Sequence, residues 1–420
     1  MDEPGVTLAA IRAARERIGP HVLTTPVWPS NLLREIAGVP VLMKCEQLQR
    51  TGSFKIRGAA NFVMQLDAAA RRRGLVAASA GNHAQGVALA GAAEGIPVTV
   101  VMPSGAPLAK VTAARGYGAR VVLHGESLEE ARAEAIAISE REGMVFVPPF
   151  DDDAIIAGQG TAGLEILEQE PAVEEILVPA GGGGLLAGIA VAVKAVAPRV
   201  RVVGVQSRAM DGIRRSLAAG GVVAAPATRT IADGVAVAAP SERTFALIRA
   251  HVDDVIACPD EAIAHAMALM LERSKFVVEG AGALGVAALQ SGAYRPRGRT
   301  VVVLSGGNVD INLIGSVVRR GLADAGRYQT LTIEVSDTPG ELALVSRVIG
   351  EAGGNVLEVD HNREAPGMPI GVAVLELLLE VSGQAQFEAI IGALREAGLR
   401  GVPGSSARLA TVAAQRRHGI

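Results

Sequence analysis

Thr51-Gly52-Ser53-Phe54-Lys55-Ile56-Arg57-Gly58 lies between a strand-like run, Val41 to Cys45, and an Ala-rich helix-like run from Ile56 to Arg71. Lys55 therefore falls near the start of a helix, where the first-turn N–H groups supply positive potential and disfavour a cation. An amine in that field, flanked by apolar Phe54 and Ile56, sheds its proton more readily than a free lysine. A neutral amine is what imine formation with an aldehyde requires. The plainer alternative is a solvated surface lysine. Against it, Lys44, Lys110, Lys194 and Lys275 stand isolated and arginine carries nearly all the remaining positive charge. Lysine in place of arginine invites a chemical reason, because lysine can form a Schiff base.

Outward from this stretch the chain alternates regularly. Val6 to Ile18 reads as an amphipathic helix, and a short helix follows near Leu32 to Ala37. Strands are expected at Val41–Cys45, Val76–Ser79, Val98–Met102, Arg120–His124, Val145–Pro148, Ile176–Pro179 and Val202–Val205. Helical patterns separate them at Gln85–Glu94, Ala109–Gly116, Leu128–Glu142 and Ala157–Glu168. Such alternation implies parallel sheets covered by helices on both faces. Arg208 to Pro240 is less regular, Glu261 to about Lys275 is helical, and Thr300–Leu304 is a fully apolar strand. After about Arg327 the order becomes β-α-β-β-α, which suggests a ferredoxin-like unit. The expected division is 1–327 and 328–420, with a smaller subdomain of about 50–148 inserted in the first part.

The 420 residues suffice for two or three domains with a sizeable core. A hydrophobic share of 49% against 20% charged marks a globular chain, and a net charge of −3 argues against nucleic acid or an anionic membrane as partner. Aromatics at 3% remove the stacking platforms that single-strand binders use. Cys45 and Cys258 show neither metal spacing nor a disulfide framework, which fits a reducing cytoplasm. The acidic N-terminus is not a signal peptide, and no apolar run reads as a membrane span.

Three further stretches carry chemistry. Ser79-Ala80-Gly81-Asn82-His83-Ala84-Gln85-Gly86 follows a strand and opens a helix, so its N–H groups form an anion site; the alternative is a corner capped by Ser79 or Asn82. Gly181, Gly182, Gly183 and Gly184 are costly to order, and the return is bare backbone around a phosphate. The loop continues Gly-Leu-Leu, so it is no P-loop, and Gln206 stands where a dinucleotide site expects an acid. A single phosphate on a small cofactor fits best. Ser305-Gly306-Gly307-Asn308 offers a hydroxyl at a strand end, for a ring nitrogen or for the next turn. Together, a lysine imine, a monophosphate cup and a hydroxyl for a pyridine nitrogen are what pyridoxal phosphate needs.

Ser53-Phe54-Lys55-Ile56-Arg57-Gly58-Ala59, Ser79 to His83, Gly181 to Gly184 and Ser305 to Asn308 resemble the pyridoxal-phosphate threonine ammonia-lyases (threonine dehydratases) over roughly residues 5 to 320. The resemblance implies two parallel-sheet subdomains of the tryptophan synthase β-like, fold type II class. Asp337-Thr338-Pro339-Gly340-Glu341-Leu342 resembles a single C-terminal ACT regulatory domain. By that resemblance Lys55 forms the Schiff base with pyridoxal 5'-phosphate, with Phe54 beside it, and Asn82 bonds the phenolic oxygen. Gly181 to Gly184 with Leu185 hold the phosphate, and Ser305 faces the pyridine nitrogen. Ser79, Ala80, Gly81, Asn82 and His83 bind the substrate carboxylate, and Gly234 and Glu279 match positions lining the pocket.

The implied activity is deamination of L-threonine to 2-oxobutanoate and ammonia, with L-serine as a second substrate. Serine racemases of the same fold resemble this chain too, but they carry a serine where Ala80 stands and a metal-binding glutamate where Gln206 stands. Racemisation should therefore be minor, and no metal is expected. The remaining rivals are a β-replacement enzyme and a non-catalytic amino-acid sensor. Isoleucine with valine antagonism would fit a biosynthetic role, and a nucleotide activator a catabolic one. A homodimer or homotetramer is expected from ACT-like pairing. His21, His124, His251, His265, His361 and His418 lack metal-ligand spacing and read as structural or exposed.

Overall fold

The computed structural model describes residues 5–226, 228–363 and 369–404, so His418 lies outside the described residues. Contacts divide the chain into two compact units, 1–309 and 310–420. The sequence places that boundary at 327/328. It falls earlier because the helix Ile311–Asp324 packs against the strand Tyr328–Ser336 of the second unit.

The first unit holds two sheets. The larger has six strands in the order Val27–Pro29, Val41–Lys44, Thr300–Val303, Glu175–Pro179, Arg201–Ser207, Asp254–Cys258. All pair in parallel except Val27–Pro29, which runs antiparallel to Val41–Lys44. Runs such as Val301-Val302-Val303 and Ile176-Leu177-Val178 are buried throughout, as strands covered on both faces must be. The smaller sheet is parallel, in the order Arg120–Leu123, Val98–Met102, Leu75–Ala78, Val145–Phe146. Each sheet has its own apolar core.

The sequence did not single out the edge strand Asp254–Cys258 or the helix Glu242–His251 before it. The helix expected over 56–71 is broken. Lys55–Met64 ends, and Asp67 caps a second helix, Ala68–Arg73, by accepting from Ala70 N at 2.7 Å. The helix Asp260–Leu269 passes into a π-turn, Met270–Ser274, and stops at Lys275, which adopts φ +61°.

One buried cluster ties the start of Lys55–Met64 into the unit. Arg57, fully buried, grips Glu46 through Nε and Nη2 (2.8 Å each) and Glu165 through Nη1 and Nη2 (2.6 and 2.9 Å). Lys44 Nζ completes it, 2.5 Å from Glu165 and 2.7 Å from Thr25 O. Lys44 is thus paired, not isolated as its sequence setting suggests. Two cations face two carboxylates, the condition for burying such charges.

The second unit is a four-stranded antiparallel sheet, in the order Asn355–Asn362, Val372–Glu380, Tyr328–Ser336, Arg400–Pro403. Alternate residues (Leu331 and Ile333; Leu375 and Leu377) turn inward against helices Glu341–Glu351 and Gln384–Glu396. The last strand completes the ferredoxin-like β-α-β-β-α-β order. Among the described residues no helix is long and apolar enough to cross a membrane.

Candidate active site

Parallel sheets place their loops of interest beyond the carboxyl ends of their strands. Leu75–Ala78 feeds the Ser79–His83 turn, Glu175–Pro179 feeds the glycine loop, and Thr300–Val303 feeds Ser305–Asn308. Lys55 is the first residue of its helix.

Lys55 joins these loops. Its Nζ donates to Pro149 O at 2.8 Å and lies 5.3 Å from the Phe54 ring centroid. The residue is half-buried. Loss of water pulls its pKa down to about 8, against a smaller opposing pull from Glu279. Phe150, next to Pro149, packs on the glycine loop: a Cβ on Gly184 would sit 3.1 Å from Phe150 Cβ, and one on Gly182 would overlap the ring. Phe54 N donates to Ser305 O at 3.1 Å, and Ser53 bridges Gly306, so the lysine segment is laced to the serine loop. On the opposite side, a Cβ on Gly86 would meet the Lys55 carbonyl carbon at 3.2 Å.

The glycine loop is a cradle that side chains would fill. A Cβ on Gly181 would lie 2.9 Å from Val235 Cα, and one on Gly183 would lie 2.7 Å from Ile248 Cδ1. Gly183 also sits at φ +93°, where only glycine is at ease. Thr244 Oγ1 donates to Gly182 O at 2.8 Å and fixes the loop from behind. The helix Gly184–Val196 begins here, and its first-turn N–H groups have no intrahelical acceptor. Leu185 is buried in the large core. Gln206 Nε2 donates to Ala180 O (3.3 Å) and Met210 O (3.2 Å), holding the base of the loop.

In the Ser79–His83 turn, Ser79 Oγ accepts from Gly81 N at 3.0 Å. Gly81 is the N-cap, and Asn82 already belongs to the helix Asn82–Ala93, so neither Ser79 nor Asn82 caps it. Ala80 packs on the small core. His83 is buried with Nε2 2.9 Å from Val147 O; burial and the Lys55 charge push its pKa down to about 3, so the ring is neutral. Asn82 Nδ2 donates to Glu279 Oε1 at 2.7 Å, and Asn82 Oδ1 accepts from Asn308 Nδ2 at 2.8 Å. Gly234 faces Glu279: a Cβ there would lie 3.3 Å from Oε1. Ser305 is 2% exposed.

Contacts bring the lysine, Ser79–His83 and Ser305–Asn308 segments together and link them to the glycine loop through Pro149-Phe150, while Leu185 and Ala80 pack into the apolar cores. The sequence did not single out Pro149 and Phe150, the link between lysine and glycine loop, because they follow a two-residue strand with no local signal. Nor did it pair Lys110 with Asp233 (2.5 Å), since only folding brings those segments together. Lys55 offers an amine held near neutrality, the glycine loop a seat for a phosphate, and the two together fit pyridoxal phosphate.

Residues 18–306 match the family model described as pyridoxal-phosphate dependent enzyme. The chain is 46% identical over 385 residues to an L-threonine ammonia-lyase of Thermotoga maritima, covering 92% of this chain and 96% of that one. It is 44% identical over 323 residues to the catabolic L-threonine dehydratase TdcB of Escherichia coli, covering 76% of this chain and 98% of that one. Solved structures agree. A threonine deaminase from T.th. superposes with a TM-score of 0.69 at 44% identity, covering 73% of this chain and 99% of the other. A maize serine racemase superposes at 0.72 with 37% identity, covering 76% of this chain and 98% of the other.

Proposed function

Because the chain belongs to the pyridoxal-phosphate dependent enzyme family, we propose that it deaminates L-threonine to 2-oxobutanoate and ammonia, with L-serine as a second substrate. The single observation that carries the reading is an amine held near neutrality at the head of a helix, joined through Pro149-Phe150 to a glycine cradle. In this reading Lys55 is the attachment point for pyridoxal 5'-phosphate. Gly181 to Gly184 with Leu185 seat its phosphate, Ser305 meets its ring nitrogen, and Asn82 its phenolic oxygen. Bound there, the cofactor supplies an aldehyde for the substrate amine and a ring that draws electrons from the α-carbon. Lys55 Nζ, once free, takes the α-proton, a task suited to an amine near neutrality. The Ser79–His83 turn holds the substrate carboxylate, and neutral His83, bonded to Val147 O, orients the turn.

Ala80 has no acid–base group, so nothing at that position returns a proton to the opposite face, and elimination prevails over racemisation. The second unit serves as an ACT-like regulatory part, in a homodimer or homotetramer; isoleucine with valine antagonism is the effector pair of a biosynthetic role, and a nucleotide activator that of a catabolic one. The 46% identity to a threonine ammonia-lyase extends through 92% of the chain, which supports one activity for the whole. A 2-oxobutanoate assay on threonine and serine, with and without isoleucine, tests this. Protein that carries the cofactor yet forms no 2-oxobutanoate from threonine refutes it.

A further inference from the structure

Glu279 is a carboxyl that the chemistry above leaves without a task. It precedes the helix Gly280–Gln290, is 3% exposed, and its N–H donates to Gly306 O at 3.0 Å. Gly234 and Gly306 leave space for its carboxyl, since a Cβ on either would press on Oε1. Asn82, in the turn assigned to the substrate carboxylate, donates to that same oxygen. The charged groups that face it are Lys55 on the lysine helix, Lys110 on the helix Leu108–Gly116, and Asp233 in the short turn before Val235. Lys110 and Asp233 are paired with each other, and neutral His83 turns to Val147. Burial first, and Asp233 next, push the Glu279 pKa up to about 7.

A substrate carboxylate seated on the Ser79–His83 turn brings a second negative charge against Asn82. Two carboxyl groups held this close, with Glu279 itself buried, do not both ionise. We propose that Glu279 is a positioning residue that must hold its proton for the substrate carboxylate to bind, its acid form keeping the Asn82 amide in place without repelling the ligand. This inference rests on the assignment of that turn to the carboxylate. Above the pKa of Glu279, each binding event then takes up one proton from solution and transfers it to Glu279, so KM climbs while kcat holds.

The test compares the loaded wild-type enzyme with Glu279→Gln, which is neutral at every pH and keeps an oxygen for Asn82. Wild-type KM for threonine should rise by about tenfold per unit once the pH exceeds the Glu279 pKa, and the variant's KM should stay flat. Binding of 2-hydroxybutanoate, a carboxylate with no amine, is followed in weak buffer with a pH indicator. Wild type should take up close to one proton per site on the alkaline side and almost none on the acid side; the variant should take up none on either. An unchanged KM limb in the variant, absence of 2-hydroxybutanoate binding, or binding without alkaline proton uptake overturns the proposal. If the variant does not fold, the wild-type proton count decides alone. Release of 2-oxobutanoate on the acid side tests the threonine assignment separately, since the proton count needs no turnover.

Discussion

Lys55 is the residue on which the chemistry turns, and its environment sets a pH dependence. Burial lowers its pKa from 10.5 to about 8. Cofactor-free protein should therefore capture pyridoxal phosphate at a rate that rises about tenfold per unit below that pKa and levels off above it. Stopped-flow absorbance measures this directly; a rate still climbing to the ordinary lysine range would mean a solvated amine. The linkage has a definite sign. The unfolded chain binds this proton more tightly than the folded one, so the Lys55 contribution raises stability as pH climbs from about 8 towards 10.5. Glu279 acts oppositely: its folded pKa is raised, so its contribution is full below its unfolded value of 4.5 and is lost as pH rises through about 7.

Among the elements, the loop at Gly183 and the helix start at Arg57 make the sharpest predictions. Gly183→Ala forces a side chain into a left-handed backbone at a cost of roughly 1–2 kcal/mol, with a methyl pressed on Ile248. It should lower Tm and speed cofactor loss, seen as decay of the visible absorbance. Arg57→Met leaves Glu46 and Glu165 facing Lys44 alone; breaking such a buried cluster costs about 3–5 kcal/mol, readable by urea unfolding. Burial alone would raise the Glu46 pKa, but Arg57 outweighs it and holds it low, so this support is present above the usual carboxylate range and fades in acid. The alternation of short apolar strands with helices was legible because parallel strands must be apolar on both faces. The lysine, glycine and serine motifs were legible because each sits at a strand or helix end. The Arg57 cluster was not, because its carboxylates lie 11 and 108 residues away. The edge strand Asp254–Cys258 escaped notice because its apolar run, Val255 to Cys258, is only four residues long and follows the exposed pair Asp253-Asp254.

For the molecule as a whole, residues 328–420 are assigned regulation, and the full chain tests it. In a biosynthetic role isoleucine should raise the KM for threonine several-fold without displacing the cofactor and valine should reverse the effect, and in a catabolic role a nucleotide should lower that KM; threonine kinetics indifferent to all three would remove the regulatory assignment. Sedimentation of the full chain should show a dimer or tetramer, and a monomer at all concentrations would contradict it. The account as a whole depends on where the cofactor is joined to the chain. Borohydride reduction of the loaded protein, followed by digestion and mass spectrometry, reads that site. The peptide bearing Lys55 should carry the pyridoxyl group and the protein should lose its visible band; a label on Lys44, Lys110, Lys194 or Lys275, or none at all, would contradict it.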